Sequence, residues 1–207
     1  FHDAIREDEN FTVEVAPSFR PDEAFAVGEE KFTNFIKKLQ DASTKDVTTY
    51  KELIKEIENR VDYFNERGAI VSDHGLGKLF YAESTDDEIE AIFLKALAQK
   101  EITAEENAKY QTRLLSDLGK MYHARGWVMQ LHFGAIRNNN SRMFDLVGAD
   151  AGFDSINDQT DVAYALNNIL NALDKEDKLP KTIIYNLNPI YNDVVASAVA
   201  NFQSNND

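Results

Sequence analysis

The sequence predicts an α/β protein built on a parallel sheet, and three observations carry that prediction. Apolar or β-branched runs at Phe11–Val15, Ala69–Ser72, Trp127–Leu131 and Lys181–Tyr185 read as strands. Segments with apolar residues at helical spacing separate them, so strands and helices alternate as parallel β/α units require. The run Trp127-Val128-Met129-Gln130-Leu131 has no helical period, which suits a strand buried on both faces. About four β/α units are legible, whereas a complete eight-stranded barrel needs on the order of 250 residues. The pattern alone therefore also permits a small open sheet.

Each element has its own local cause. Residues 1–10 are polar and show no clear period. The alternating Phe11–Val15 run is ended by Pro17, which cannot donate to a ladder, and Ser18–Asp22 reads as a loop. A helix over Glu29–Asp41 gathers Phe32, Phe35, Ile36 and Leu39 on one face. Thr49 and Glu52 form a capping box for a helix that carries Leu53, Ile54, Ile57, Val61 and Phe64 and stops at Gly68. Ala69–Ser72 is a short buried strand with Asp73-His74-Gly75 at its carboxyl end. A helix begins at Ser84 or Thr85, with Asp86, Asp87 and Glu88 suited to its dipole. Another begins at Thr103, boxed by Glu106, and ends at Gly126. Asn138–Arg142 reads as a loop, Gln159–Asp174 as a helix. A last amphipathic helix starts near Pro189 or Tyr191 and fades into the polar tail Ser204–Asp207. The whole chain is expected to be one α/β segment, with helical insertions around 22–67 and 84–125.

Charge and composition exclude several classes of function. Asp and Glu number 36 against 22 Lys and Arg, a net charge of −14, and no basic cluster stands out. Nucleic acid and anionic membranes are therefore not expected partners. Cysteine is absent, which excludes disulfides and thiolate metal sites and suits the reducing cytoplasm. No apolar run reaches transmembrane length. Against this acidic background Arg20, Arg137 and Arg142 gain interest, because an anionic ligand needs local positive charge.

The stretch Gly126–Asp158 is the most informative. His132 arrives near the end of an apolar strand, followed by Gly134, Arg137 and Asn138-Asn139-Asn140-Ser141-Arg142. Polar residues just past the carboxyl end of a buried strand are where α/β folds build sites. Taken singly, His132 reads more readily as a structural histidine than as a catalyst, Arg137 can be a surface ion pair, and Asp73 reads equally as a helix or turn cap.

As a whole, QLHFGAIRNNNSRMF followed by GFDSIND resembles the uronate isomerase (glucuronate isomerase) family, a branch of the amidohydrolase superfamily. APSFRPDEAF at Ala16–Phe25, SDHGL at Ser72–Leu76 and LPKTIIYNLNP at Leu179–Pro189 agree in order and spacing, so the resemblance covers essentially the whole chain. It implies a partial (β/α)8 TIM barrel of the amidohydrolase type with extra helices, cut from a longer cytoplasmic, homo-oligomeric enzyme. It implies interconversion of aldo- and keto-uronates by proton transfer through an enediol. It places Asp73 and His132 as catalytic candidates and Arg20 and Arg137 as substrate binders. His74, Asn138 and Arg142 are weaker candidates.

The family's divalent metal, usually zinc, is held by a His-x-His pair and a late-strand Asp. The four histidines here, His2, His74, His123 and His132, contain no such pair. The chain by itself is therefore expected to bind no metal cofactor, to be inactive, and to associate through unpaired sheet edges. Two other readings stay open: a different amidohydrolase-type hydrolase, and a non-catalytic α/β module that binds an anionic small molecule.

Overall fold

The structure, a computed structural model, describes residues 2–203. Its centre is a three-stranded parallel sheet made of β1 (Val71–Leu76), β2 (Val128–Phe133) and β5 (Thr182–Asn186), in the order β1-β2-β5. The register sets Gly75 beside His132 and His132 beside Tyr185. A separate two-residue hairpin joins β3 (Ala135–Ile136) to β4 (Ser155–Ile156), antiparallel. The parallel α/β expectation is met.

Eight helices complete the described residues: α1 (His2–Arg6), α2 (Glu30–Ser43), α3 (Tyr50–Asn65), α4 (Asp86–Leu97), α5 (Ala104–Ala124), α6 (Ser141–Val147), α7 (Val162–Asp174) and α8 (Asn192–Val199). Short 3-10 turns lie at Asp22–Phe25 and Pro189–Tyr191. The two expected capping boxes form, Thr49 with Glu52 and Thr103 with Glu106, and Thr85 with Glu88 makes a third that was not expected; each satisfies two orphan N–H groups. Gly68 takes a φ of 84° just past α3, as its role as a stop requires.

The core lies on one side of the sheet. Ser72 and His74 of β1 and Met129, Leu131 and Phe133 of β2 are buried there. Leu114, Leu118 and Tyr122 of α5 and Leu166, Leu170 and Leu173 of α7 belong to the same buried apolar cluster. Trp127, just ahead of β2, stacks on Tyr122 with centroids 5.7 Å apart and 11° between planes. Its indole N–H donates to Asn65 Oδ1 at 2.9 Å.

Several expectations need correction. Phe11–Val15 is not a strand. The chain touches the sheet only at Phe19, whose N–H donates to Val71 O and whose carbonyl accepts from the Asp73 N–H. In a parallel ladder the next donors along would be residues 17 and 21, and both are proline, so pairing stops after one residue. Three sheet strands and one bridge therefore stand where about four strands were expected.

The central strand is not buried on both faces: Val128, Gln130 and His132 face away from the core and are partly exposed. Asp73-His74-Gly75 lies inside β1 and not past its end. The polar first residues hold α1. Arg142 sits in α6, where a loop was expected, because the Asn140 side chain accepts from the Met143 N–H and caps a short helix. The polar tail Ser204–Asp207 lies outside the described residues.

Candidate active site

The open face of the sheet carries the site. Alternation along β1 and β2 sends Asp73 and Gly75, and Gln130 and His132, to the face opposite the core. Tyr185 of β5 joins them through the register. A cleft of about 840 Å³ opens there, lined by Arg20, His132, Arg137, Asn138, Asp154 and Tyr185 among others.

Arg20, Asp73 and His132 form one connected chain. Arg20 Nη1 donates to Asp73 Oδ2 at 2.8 Å, and His132 Nε2 lies 2.7 Å from Asp73 Oδ1. The three come from sequence positions far apart, brought together by the Phe19 bridge to β1 and the pairing of β1 with β2. The His132 ring stacks on Tyr185, centroids 4.2 Å apart and nearly coplanar in orientation at 3°. Tyr185 in turn donates its hydroxyl to Gln130 Oε1 at 2.7 Å. The imidazole is thus held from its face and from one nitrogen.

Asp22 supports the other end. Its Oδ2 accepts from Arg20 Nε at 2.8 Å and from the Gly75 N–H at 2.9 Å, while Oδ1 lies 3.4 Å from His74 Nδ1. Burial pushes the Asp22 carboxyl up, but His74, the Gly75 amide and Arg20 outweigh it and hold it below the ordinary carboxylate range. Hydrogen bonding to Asp22 raises the Arg20 guanidinium above its ordinary value against the smaller effect of burial, and the charges of Asp22 and Asp73 add to the rise.

Arg137 reaches the same cleft from the hairpin segment. Its Nη1 pairs with Asp154 Oδ2 at 2.5 Å, and Asp154 Oδ1 accepts from the Asn138 N–H at 2.9 Å. Those two contacts hold the Asp154 carboxyl below its ordinary value. Asn138 itself adopts a φ of 56°, a turn conformation that Asn tolerates.

Of the residues singled out from sequence, Arg20, Asp73 and His132 meet directly, and Arg137 and Asn138 line the same cleft. His74 and Arg142 do not. His74 is fully buried on the core side of β1, with Nε2 3.1 Å from the Tyr122 hydroxyl and its ring edge-on to Phe25. Arg142 is exposed on α6 and does not line the cleft. Sequence reasoning missed Asp22, Asp154, Tyr185 and Gln130. For Tyr185 and Gln130 a signal existed, since both lie on strands whose alternate residues share a face; Asp22 and Asp154 read only as ordinary turn acids.

Chemically, the cleft offers guanidinium donors from Arg20 and Arg137 for an anion, beside a carboxylate–imidazole pair able to exchange protons. Among the described residues no three His, Cys, Asp or Glu side chains come together in a way that could hold a metal ion. No helix among them is long and apolar enough to cross a membrane.

Comparison with known proteins gives concordant results. The family model described as glucuronate isomerase matches residues 1–206. A uronate isomerase of Staphylococcus haemolyticus is 48% identical over 204 residues, covering 99% of this chain and 44% of its relative. One of Clostridium perfringens is 48% identical over 206 residues, again with 44% of the relative covered. The chain thus spans less than half the length of the curated relatives it matches. Among solved structures, the uronate isomerase of Thermotoga maritima superimposes with a TM-score of 0.89 at 27% identity, over 97% of this chain and 44% of the other. The glucuronate isomerase of Caulobacter crescentus gives 0.79 at 28%, over 92% and 39%.

Proposed function

The chain belongs to the glucuronate isomerase family, and from that premise we propose that the whole protein is an aldose–ketose isomerase acting on uronates. It converts D-glucuronate to D-fructuronate, and D-galacturonate to D-tagaturonate, by moving a proton between C2 and C1 of the open-chain sugar through an enediol. The observation that supports this best is the juxtaposition of Arg20, Asp73, His132 and Arg137 around one cleft.

A uronate presents a carboxylate at one end and the reacting carbonyl at the other. Arg137 and Arg20 take the carboxylate and hydroxyls, since a planar guanidinium matches a carboxylate with two parallel donors. Arg137 spends one nitrogen on Asp154 and keeps further donors for the substrate. Asp73 and His132 stand near the sugar oxygens and relay protons as the enediol forms and collapses. Asn138 flanks Arg137 at the cleft wall.

The three strands and the Phe19 bridge are consecutive parts of a (β/α)8 barrel, decorated by helical insertions around 22–67 and 84–125. The length shared with the relatives supports this. The whole enzyme is a cytoplasmic homo-oligomer, and a sequence without cysteine suits a reducing compartment. It uses a divalent metal, zinc in our reading. The residues of this chain do not fit that ion: Asp73 commits its oxygens to Arg20 and His132, and no third donor joins them among the described residues. The metal ligands therefore belong to parts of the longer protein, and the 207-residue chain alone is inactive.

The test is isomerisation of D-glucuronate and D-galacturonate by the whole protein, followed as proton exchange at C2 and appearance of ketose. Arg137→Ala should lower kcat/KM by about a hundredfold or more, on the order of 3 kcal/mol, the size of a lost charge-assisted contact to a substrate anion. A parent silent on both sugars but active on an amide or ester would keep the fold and overturn the isomerase.

A further inference from the structure

We infer that Asp22 and Gly75 together form a seat that positions Arg20, so that Asp22 is a positioning residue of the site although it does not line the cleft. This rests on the proposed isomerase reading only for its activity readout.

Arg20 is half exposed and its stem is flexible, yet its guanidinium must be fixed if it is to orient both Asp73 and a substrate. The backbone alone does not fix it, because the segment that carries it touches the sheet through a single bridge at Phe19. Asp22 supplies the missing constraint. One of its oxygens, Oδ2, holds Arg20 Nε at 2.8 Å and the Gly75 N–H of β1 at 2.9 Å. The same carboxylate therefore ties the side chain to the strand that bears Asp73. With Nε on Asp22 and Nη1 on Asp73, the guanidinium plane is set by two carboxylates.

Gly75 makes room for it. A Cβ at position 75 would lie 2.4 Å from Arg20 Nη2 and 3.3 Å from Asp22 Oδ2. Its backbone is not in the left-handed region, so the absence of a side chain is needed for the close approach of Arg20 and not for a turn. What an added methyl would displace is the far end of an arginine, which moves at little cost to the fold. Gly75→Ala thus perturbs the seat from the strand side, as Asp22→Asn perturbs it from the loop side by removing the charge.

The experiment is a pair of double-mutant cycles in the whole protein with D-glucuronate as substrate. Asp22→Asn and Gly75→Ala should each lower kcat/KM by about a hundredfold when Arg20 is present, the scale of an ångström-sized misplacement. In an Arg20→Ala background each should change it by no more than about twofold, because the group being positioned is gone. A purely structural role predicts the same loss in both backgrounds, and that result overturns the inference. Crystal structures of the two variants give a readout that needs no activity. Arg20 should have left Asp73 in both; Nη1 still on Asp73 in Asp22→Asn also overturns the inference. A parent without turnover would sink the isomerase reading alone, and the crystal structures would still decide the seat.

Discussion

Asp22 shows how one carboxylate couples the site to stability. Its folded pKa lies below the ordinary carboxylate value of about 3.8. A depressed acid contributes stability that is present above the unfolded value and is lost as pH falls through the folded one. Denaturant melts of the whole protein should therefore lose stability as pH drops below about 4, and Asp22→Asn should flatten that acid limb. An unchanged acid limb in the variant would refute the assignment. At this scale the sequence was legible where a residue carried a motif: Arg20, His132 and Arg137 line the cleft, and Asp73 joins the first two. It was illegible where role depends on a partner distant in the chain. Asp22 becomes informative only beside Gly75, and His74 loses its claim only because strand alternation turns it to the core side. The phase of β1 could have been read from its start, but placing the strand two residues early put Asp73 and His74 together past its end.

The helices were the most legible elements because their starts are chemical. Thr–Glu boxes identified α3 and α5 and first-turn acids marked α4; the two boxes close as expected, and Thr85 with Glu88 closes a third. Thr85→Ala and Thr103→Ala should each cost about 1 kcal/mol, the usual worth of an N-cap. In a domain of this size that lowers Tm by roughly 2–4 °C per substitution; no change in a calorimetric scan of either variant would contradict the caps. Strand pairing was harder to read, since it is decided by the neighbour. Phe11–Val15 has strand composition, but Val13 is 64% exposed and the segment finds no partner in the sheet. The prolines at 17 and 21 then restrict contact to Phe19. Likewise the asparagine run conceals α6, because Asn140 serves as a cap for a helix of only seven residues, too short to show a period.

For the molecule as a whole, the one-sided core is the governing feature. Ile183, Tyr185 and Leu187 stand exposed along the open face and end of β5, whose outer edge pairs with nothing among the described residues. An unpaired parallel edge beside apolar side chains is a template for association. The 207-residue chain in isolation should therefore show a light-scattering mass that rises with concentration. A monodisperse monomer with a cooperative melt would count against this. Fold class was legible at this scale because alternation of strands and helices is a property of the chain itself; the exposed face was not, because β2 is apolar enough to suit burial on both sides. The stack beneath the sheet has a different consequence. Trp127 is the sole tryptophan, almost wholly buried, with Tyr122 against its face, and the Tyr122 hydroxyl meets His74, which in turn lies beside Asp22. The chain thus carries a single indole, almost wholly buried and linked through Tyr122 and His74 to the arginine seat, so emission excited selectively at that tryptophan registers the integrity of fold and site without any label.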